Sequence, residues 1–100
     1  MSETMNNNQA ADFVNALWDS SIIPEISEYI KVPNKSPSFD PDWEKKGHME
    51  EAVAMLEEWC KKQPINGMQI EVVRLPGRTP ILFIEIDGQS DDVVLLYGDY

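Results

Sequence analysis

An unbroken run of five apolar residues, Val93 to Tyr97, restricts the possible folds of this chain more than any other feature. A run without polar alternation is typical of a strand that is covered on both faces of its sheet. The helices predicted before the run supply cover for one face only, and an apolar strand edge left open promotes aggregation. The run therefore predicts either a fragment of an α/β domain or an obligate assembly.

Two short helices are predicted near the N-terminus. Residues 1–9 are polar and rich in asparagine, and we expect them to be disordered. From Ala10 the apolar residues follow helical spacing, and the segment 19–21 predicts a break in that helix. Pro24 suits the first position of a second helix, which we expect to end before Pro33.

A long amphipathic helix is predicted from about Pro41 to Lys62. Asp40 precedes it as a potential N-cap, and proline then occupies the first helical position. Gly47 is a weak helical residue that predicts a kink or a later start. The apolar residues recur at three- and four-residue steps and should form one buried stripe: Met49, Ala52, Val53, Leu56, Trp59 and Cys60.

The apolar period changes to two after Pro64. Residues 68–72 alternate as in a half-buried strand, residues 76–80 have turn composition, and Ile81 to Ile86 follow as a second strand. These segments predict an antiparallel hairpin. With Val93–Tyr97 as a third, buried strand, the predicted fold class is α/β, with helices followed by an antiparallel hairpin and that third strand.

Charge and targeting signals exclude several classes of protein. The formal net charge of −10 comes from 18 acidic and 8 basic residues, which argues against binding to nucleic acids or to anionic membranes. The single cysteine, Cys60, excludes an internal disulfide and fits a reducing compartment. The chain lacks a signal-peptide pattern and any apolar run near the ~20 residues that span a bilayer. We expect a soluble, cytoplasmic protein.

Several segments follow one another in a recognisable order. Residues 29–37 contain Ile-Lys-Val-Pro-Asn-Lys-Ser-Pro, and residues 39–43 and 47–49 extend this block. The predicted helix with residues 52–59, the hairpin, and residues 93–98 come next. In this order and spacing, the segments resemble the zinc-dependent exopeptidase and deacylase family of carnosinase, aminoacylase and succinyl-diaminopimelate desuccinylase. The resemblance covers residues 10–100.

The resemblance implies a fold and an activity for the parent protein. Residues 10–100 would be the incomplete N-terminal part of a metallopeptidase catalytic domain, in which a mixed sheet lies between two layers of helices. The parent would be a zinc-dependent hydrolase, a dipeptidase or carboxypeptidase, in which a metal-activated water attacks the peptide carbonyl. Its partners would be a peptide substrate and the remainder of the catalytic domain, with self-association through Val93–Tyr97 as the alternative.

Asp99 is the candidate metal residue that the resemblance indicates. The family's strand runs into Gly-His-x-Asp, whose histidine binds zinc. Here Gly98 matches, Asp99 stands at the histidine position and Tyr100 at the x position. Carboxylate oxygen also binds zinc, although a polar residue that merely follows a strand is the alternative. The remaining family ligands and the catalytic glutamate have no counterpart in this chain. We therefore expect no catalytic residue, no bound zinc and no activity from these residues alone.

Other chemically active residues each have a structural alternative. His48 fits a metal site together with Glu44 or Glu51, or else a solvent-facing helical position. Cys60 is a potential nucleophile, but its place in the apolar stripe favours packing. Trp43 and Trp59 are expected to pack in the core or at its rim.

Two loop segments also admit a functional interpretation. Asp91 and Asp92 fit a cation site or a solvated turn. The segment Pro76-Gly77-Arg78 fits a contact to a substrate anion or a simple hairpin turn.

Three hypotheses for the function follow. The first is the N-terminal part of a zinc peptidase. The second is a non-catalytic oligomerising or interaction module derived from that family, which pairs through its exposed strand. The third is an unrelated acidic α+β domain.

Overall fold

The computed structural model describes residues 6–100 and divides the chain into two compact units, residues 1–31 and residues 32–100. The predicted disorder of residues 1–9 lies partly outside the described residues, which begin at Asn6.

The first unit begins with helix α1, Asn7–Leu17. The side-chain oxygen of Asn6 accepts hydrogen bonds from the backbone N–H groups of Asn8 and Gln9, at 3.0 and 3.1 Å. These bonds satisfy donors that the first helical turn leaves unpaired, as an N-cap does. The helix therefore begins three residues before the predicted start at Ala10.

The predicted break at residues 19–21 is a π-helical turn instead. This turn spans Trp18–Ile22, and the N–H of Ile23 donates to the carbonyl of Trp18, five residues earlier. Helix α2, Ile23–Tyr29, follows without interruption. Pro24 has no N–H and conflicts sterically with the carbonyl four residues before it, and a wider turn relieves that conflict. The chain thus stays helical to Tyr29, and it ends its helix before Pro33 as predicted.

In the second unit, the predicted long helix is divided in two at Gly47. Helix α3 covers Trp43–Lys46 and helix α4 covers His48–Lys61. Gly47 lies between them with a φ of +74°, in the left-handed region that favours glycine. Asp40 is not the N-cap that the sequence predicts, because α3 begins only at Trp43, after Asp42.

The predicted hairpin is confirmed. Strand β1, Met68–Val73, pairs antiparallel with strand β2, Ile81–Ile86, from Met68 opposite Ile86 to Val73 opposite Ile81. The N–H of Arg78 donates to the carbonyl of Leu75 at 3.0 Å within the connecting turn. This part of the chain is thus a small mixed arrangement of helices and a two-stranded antiparallel sheet.

The core lies where α4 packs against both strands. The N-terminal half of the predicted stripe is buried: Met49, Ala52 and Val53 are 6%, 0% and 0% exposed. Leu56, Trp59 and Cys60 are only half-buried. The stripe is therefore confirmed in its first two turns and loses cover toward the end of the helix.

The third strand predicted at Val93–Tyr97 is absent from the described part of the chain. These side chains are 84–89% exposed, and the segment adopts no regular secondary structure. A strand needs a neighbour that accepts and donates backbone hydrogen bonds, together with cover for its apolar faces. Residues 6–100 provide no neighbouring strand and no cover for the run, so its side chains are exposed to solvent.

Among residues 6–100, no helix combines the length and the apolar character needed to cross a membrane.

Candidate functional site

Asp99, the candidate metal residue, lies two residues after Tyr97, the last residue of the exposed run. Its carboxylate oxygen Oδ1 accepts a hydrogen bond from the Tyr97 hydroxyl at 2.6 Å. This bond and the negative charge of Asp99 raise the pKa of Tyr97, because they favour the neutral phenol. The hydroxyl of the neighbouring Tyr100 donates to the carbonyl of Pro80, which anchors the end of the segment to the turn before β2.

The described residues do not make a zinc site around Asp99. A zinc ion in a protein is held by three or four side chains of histidine, cysteine, aspartate or glutamate. Within residues 6–100, no three such side chains are grouped closely enough to hold a metal. Asp99 is therefore not part of a group of metal ligands within residues 6–100.

His48 meets one of its two predicted partners. It is the first residue of α4, and its Nδ1 lies 3.8 Å from an Oε2 oxygen of Glu51, one turn along the helix. The side chain is 32% exposed, so the position is half-buried and not fully solvent-facing. No third metal ligand joins this pair within the described residues.

Cys60 has the properties of a packing residue. It is half-buried near the end of α4, and burial raises the pKa of its thiol. A nucleophilic cysteine needs the thiolate form, which a raised pKa disfavours. Trp59, its neighbour, is also half-buried, in agreement with the predicted position at the rim of the core.

A cleft of about 430 Å³ opens between the α3–α4 junction and the β1–β2 turn. Its apolar lining includes Trp43, Leu75 and Pro80. Arg78, the residue predicted as a possible anion contact, also lines it, and no described carboxylate forms an ion pair with that side chain. The segment Pro76-Gly77-Arg78 is therefore a hairpin turn that also places the Arg78 side chain at the cleft, where it is able to contact an anion.

Arg74 and Glu50 form a bidentate ion pair in one wall of the cleft. The Nε of Arg74 donates to Oε1 and Oε2 of Glu50 at 3.0 and 3.2 Å, and its Nη2 donates to Oε2 at 2.8 Å. The guanidinium holds the pKa of Glu50 below its usual value. The pair fixes the first turn of α4 to the residue that follows β1. Sequence analysis missed it, because 24 residues separate the partners and no local pattern marks them.

The two acids predicted as a possible cation site lie in a segment without regular secondary structure. Asp91 and Asp92 are both exposed, and the N–H of Asp92 donates to the Ser90 hydroxyl at 3.2 Å. They join no group of potential metal ligands in the described part of the chain.

A buried carboxylate is the second feature that sequence analysis missed. The Asp40 side chain is 8% exposed and accepts a hydrogen bond from the Lys46 ammonium at 2.9 Å. This hydrogen bond holds the pKa of Asp40 below its ordinary value, and the same contact raises the pKa of Lys46. The pair closes the loop before α3 onto the end of that helix.

Acid should weaken this unit through Asp40. A carboxyl group whose pKa is lowered by folding stabilises the native state above its unfolded pKa of about 3.9, and that stabilisation is lost as pH falls through the lower folded pKa. We expect the stability difference between the wild type and Asp40→Asn, measured by urea unfolding, to be largest near pH 7 and to shrink steadily below pH ~4. A difference that is constant from pH 7 to 3 would contradict the ion pair.

Comparison of the sequence with models of known protein families found no match, and a search of curated proteins found no significant match.

Proposed function

We propose that residues 10–100 form the N-terminal part of the catalytic domain of a zinc-dependent hydrolase that cleaves dipeptides or removes carboxy-terminal residues. The observation that carries the proposal is the apolar run Val93–Tyr97 followed at once by Gly98 and Asp99, at the position of the family's first metal ligand. The hairpin before the run supports the proposal, because the resemblance implies a hairpin at this place in the order of segments.

The exposed run supports the same proposal on physical grounds. In a three-layer mixed-sheet domain, Val93–Tyr97 would be a central strand covered by helices on both faces. The run is 84–89% exposed in the present structure, and burying such side chains is the main driving force for completing a fold. The proposed remainder of the catalytic domain would supply the neighbouring strand and the second layer of helices.

In the complete domain, zinc would supply a Lewis acid, and Asp99 would offer one oxygen ligand. The Tyr97 hydroxyl, which donates to the same carboxylate at 2.6 Å, would restrict the orientation of that ligand. The other ligands and the general base would belong to segments outside residues 1–100. Residues 6–100 hold no set of ligands for the metal, so we assign no catalytic residue to them and expect no hydrolysis by this chain alone.

The first test is the mass and zinc content of the protein as its host produces it. We expect a product several-fold heavier than 11.4 kDa that contains bound zinc and hydrolyses dipeptides or carboxy-terminal peptide bonds. A native product of 11.4 kDa without zinc would overturn the proposal.

Substitution of Asp99 then tests the ligand assignment in that native product. We expect Asp99→Ala to lower zinc affinity and Asp99→His to restore or raise it, because imidazole nitrogen is a preferred zinc ligand. Asp91→Ala is the matched control, since Asp91 is also an exposed acid beside the run. Equal zinc affinity in all these variants would show that Asp99 is an ordinary polar residue.

One observation favours a second candidate, a non-catalytic interaction module derived from the same family. The exposed run offers a strand that a partner can extend into a sheet. This candidate predicts a stable complex in the host and no zinc, whereas the hydrolase predicts zinc in the purified native protein.

A further inference from the structure

The apolar run Val93–Tyr97 has exposed apolar side chains and backbone groups that are unpaired within residues 6–100. Its five side chains are 84–89% exposed, so almost all of their apolar surface meets water. Its backbone forms no hydrogen bond with any other backbone group of residues 6–100. A segment with free donors, free acceptors and apolar side chains is suited to pairing with another strand.

Acidic residues lie at both ends of the run. Asp91 and Asp92 precede it and Asp99 follows it, and all three are exposed. In a β-ladder, charges that lie directly opposite each other stabilise the pair when their signs differ and destabilise it when they agree. The flanking charges therefore restrict which strand the run accepts.

A second copy of this chain is a poor partner by that criterion. The antiparallel register that pairs the whole run with itself places Val93 opposite Tyr97 and Leu95 opposite Leu95. Extended at both ends, the same register places Asp91 opposite Asp99, and the symmetry of the pair repeats this contact. A parallel pair in register places every aspartate opposite its own copy. Both arrangements of two copies thus bring like charges together.

We infer that Val93–Tyr97 pairs with a polypeptide strand from outside residues 6–100 whose centre is apolar and whose two ends carry lysine or arginine. The apolar centre covers the exposed side chains, and the basic ends meet Asp91, Asp92 and Asp99. This inference shares Asp99 with the zinc proposal but does not rest on it, because it concerns the chemistry of the paired strand and its test involves no metal.

Titration with two matched peptides tests the inference on the 100-residue chain. Both peptides carry the same centre of alternating valine and threonine, one flanked by pairs of lysines and the other by pairs of glutamates. Amide hydrogen exchange at residues 93–97 reports pairing directly. We expect the lysine peptide to protect these amides and to bind about tenfold more tightly than the glutamate peptide, since several cross-strand charge pairs change sign. The difference should diminish in 1 M salt, where charges are screened.

Variants of the chain separate charge from simple apolar contact. The double variant Asp91→Asn, Asp99→Asn should lose most of the preference for the lysine peptide, whereas Asp87→Asn, an exposed acid outside the run, should keep it. The same double variant should associate with itself more readily, as measured by sedimentation. Equal binding of both peptides, no protection by either, or protection of 93–97 by self-association of the wild type would each overturn the inference.

Discussion

Replacing Val53 by alanine is expected to lower the free energy of unfolding of the second unit by about 2–3 kcal/mol. The substitution removes two methyl-sized groups, worth about 0.8 kcal/mol each by transfer, and leaves a cavity that adds to the loss. Val53 is 0% exposed and belongs, with Met49 and Ala52, to the buried core of the described chain. Because this core is small, the lost free energy is a large fraction of the stability of a small domain.

Val94→Ala is the matched control for this prediction. It makes the same chemical change at a side chain that is 84% exposed, and we expect a change within about 0.5 kcal/mol. Urea unfolding followed by far-ultraviolet circular dichroism measures both variants under identical conditions. A similar effect of the two substitutions would mean that α4 does not pack on the sheet through Val53.

Local patterns were sufficient to predict the hairpin. The alternation in β1, the apolar β2 and the turn between them are properties of neighbouring residues, and Ile81–Ile86 is a strand with the predicted ends. The buried stripe of α4 was likewise predictable at Met49, Ala52 and Val53, because helical spacing places them on one face.

Helix ends were predicted less well, because competing local signals act there. Asn6 extends α1 toward the N-terminus through a capping bond, although the surrounding composition suggested disorder. The polar residues 19–21 predicted a break before Pro24. The chain instead stays helical there, because a π-helical turn accommodates the proline. Asp40 is a residue type that commonly caps helices, but its side chain accepts a hydrogen bond from Lys46 instead.

Long-range contacts were beyond any local pattern. The pair of Arg74 and Glu50 depends on the tertiary arrangement that brings α4 to the end of β1. Whether Val93–Tyr97 forms a buried strand depends on a neighbouring strand and on covering helices, which residues 6–100 do not provide. The unbroken apolar run predicted a buried strand, but these side chains are exposed. The resemblance indicated Asp99 as a metal ligand, and the hydrogen bond that Asp99 accepts from the Tyr97 hydroxyl is a local contact.

The junction between α3 and α4 depends on the left-handed backbone conformation of Gly47. Gly47 has a φ of +74°, and an added Cβ there would meet no atom within 4 Å. Alanine at this position therefore costs stability through the backbone alone, by about 1–2 kcal/mol for the left-handed conformation. We expect Gly47→Ala to lower the urea midpoint of the second unit accordingly, with an unchanged slope against urea concentration.

Gly88→Ala separates this backbone effect from a general effect of replacing glycine. Gly88 also has open space around its position, but its φ lies outside the left-handed region. Alanine there should leave stability unchanged or raise it slightly, because it restricts the unfolded chain. If Gly47→Ala proves as harmless as Gly88→Ala, the helix is not divided at Gly47. α3 and α4 would then be the single long helix from about Pro41 to Lys62 that the apolar spacing alone predicts.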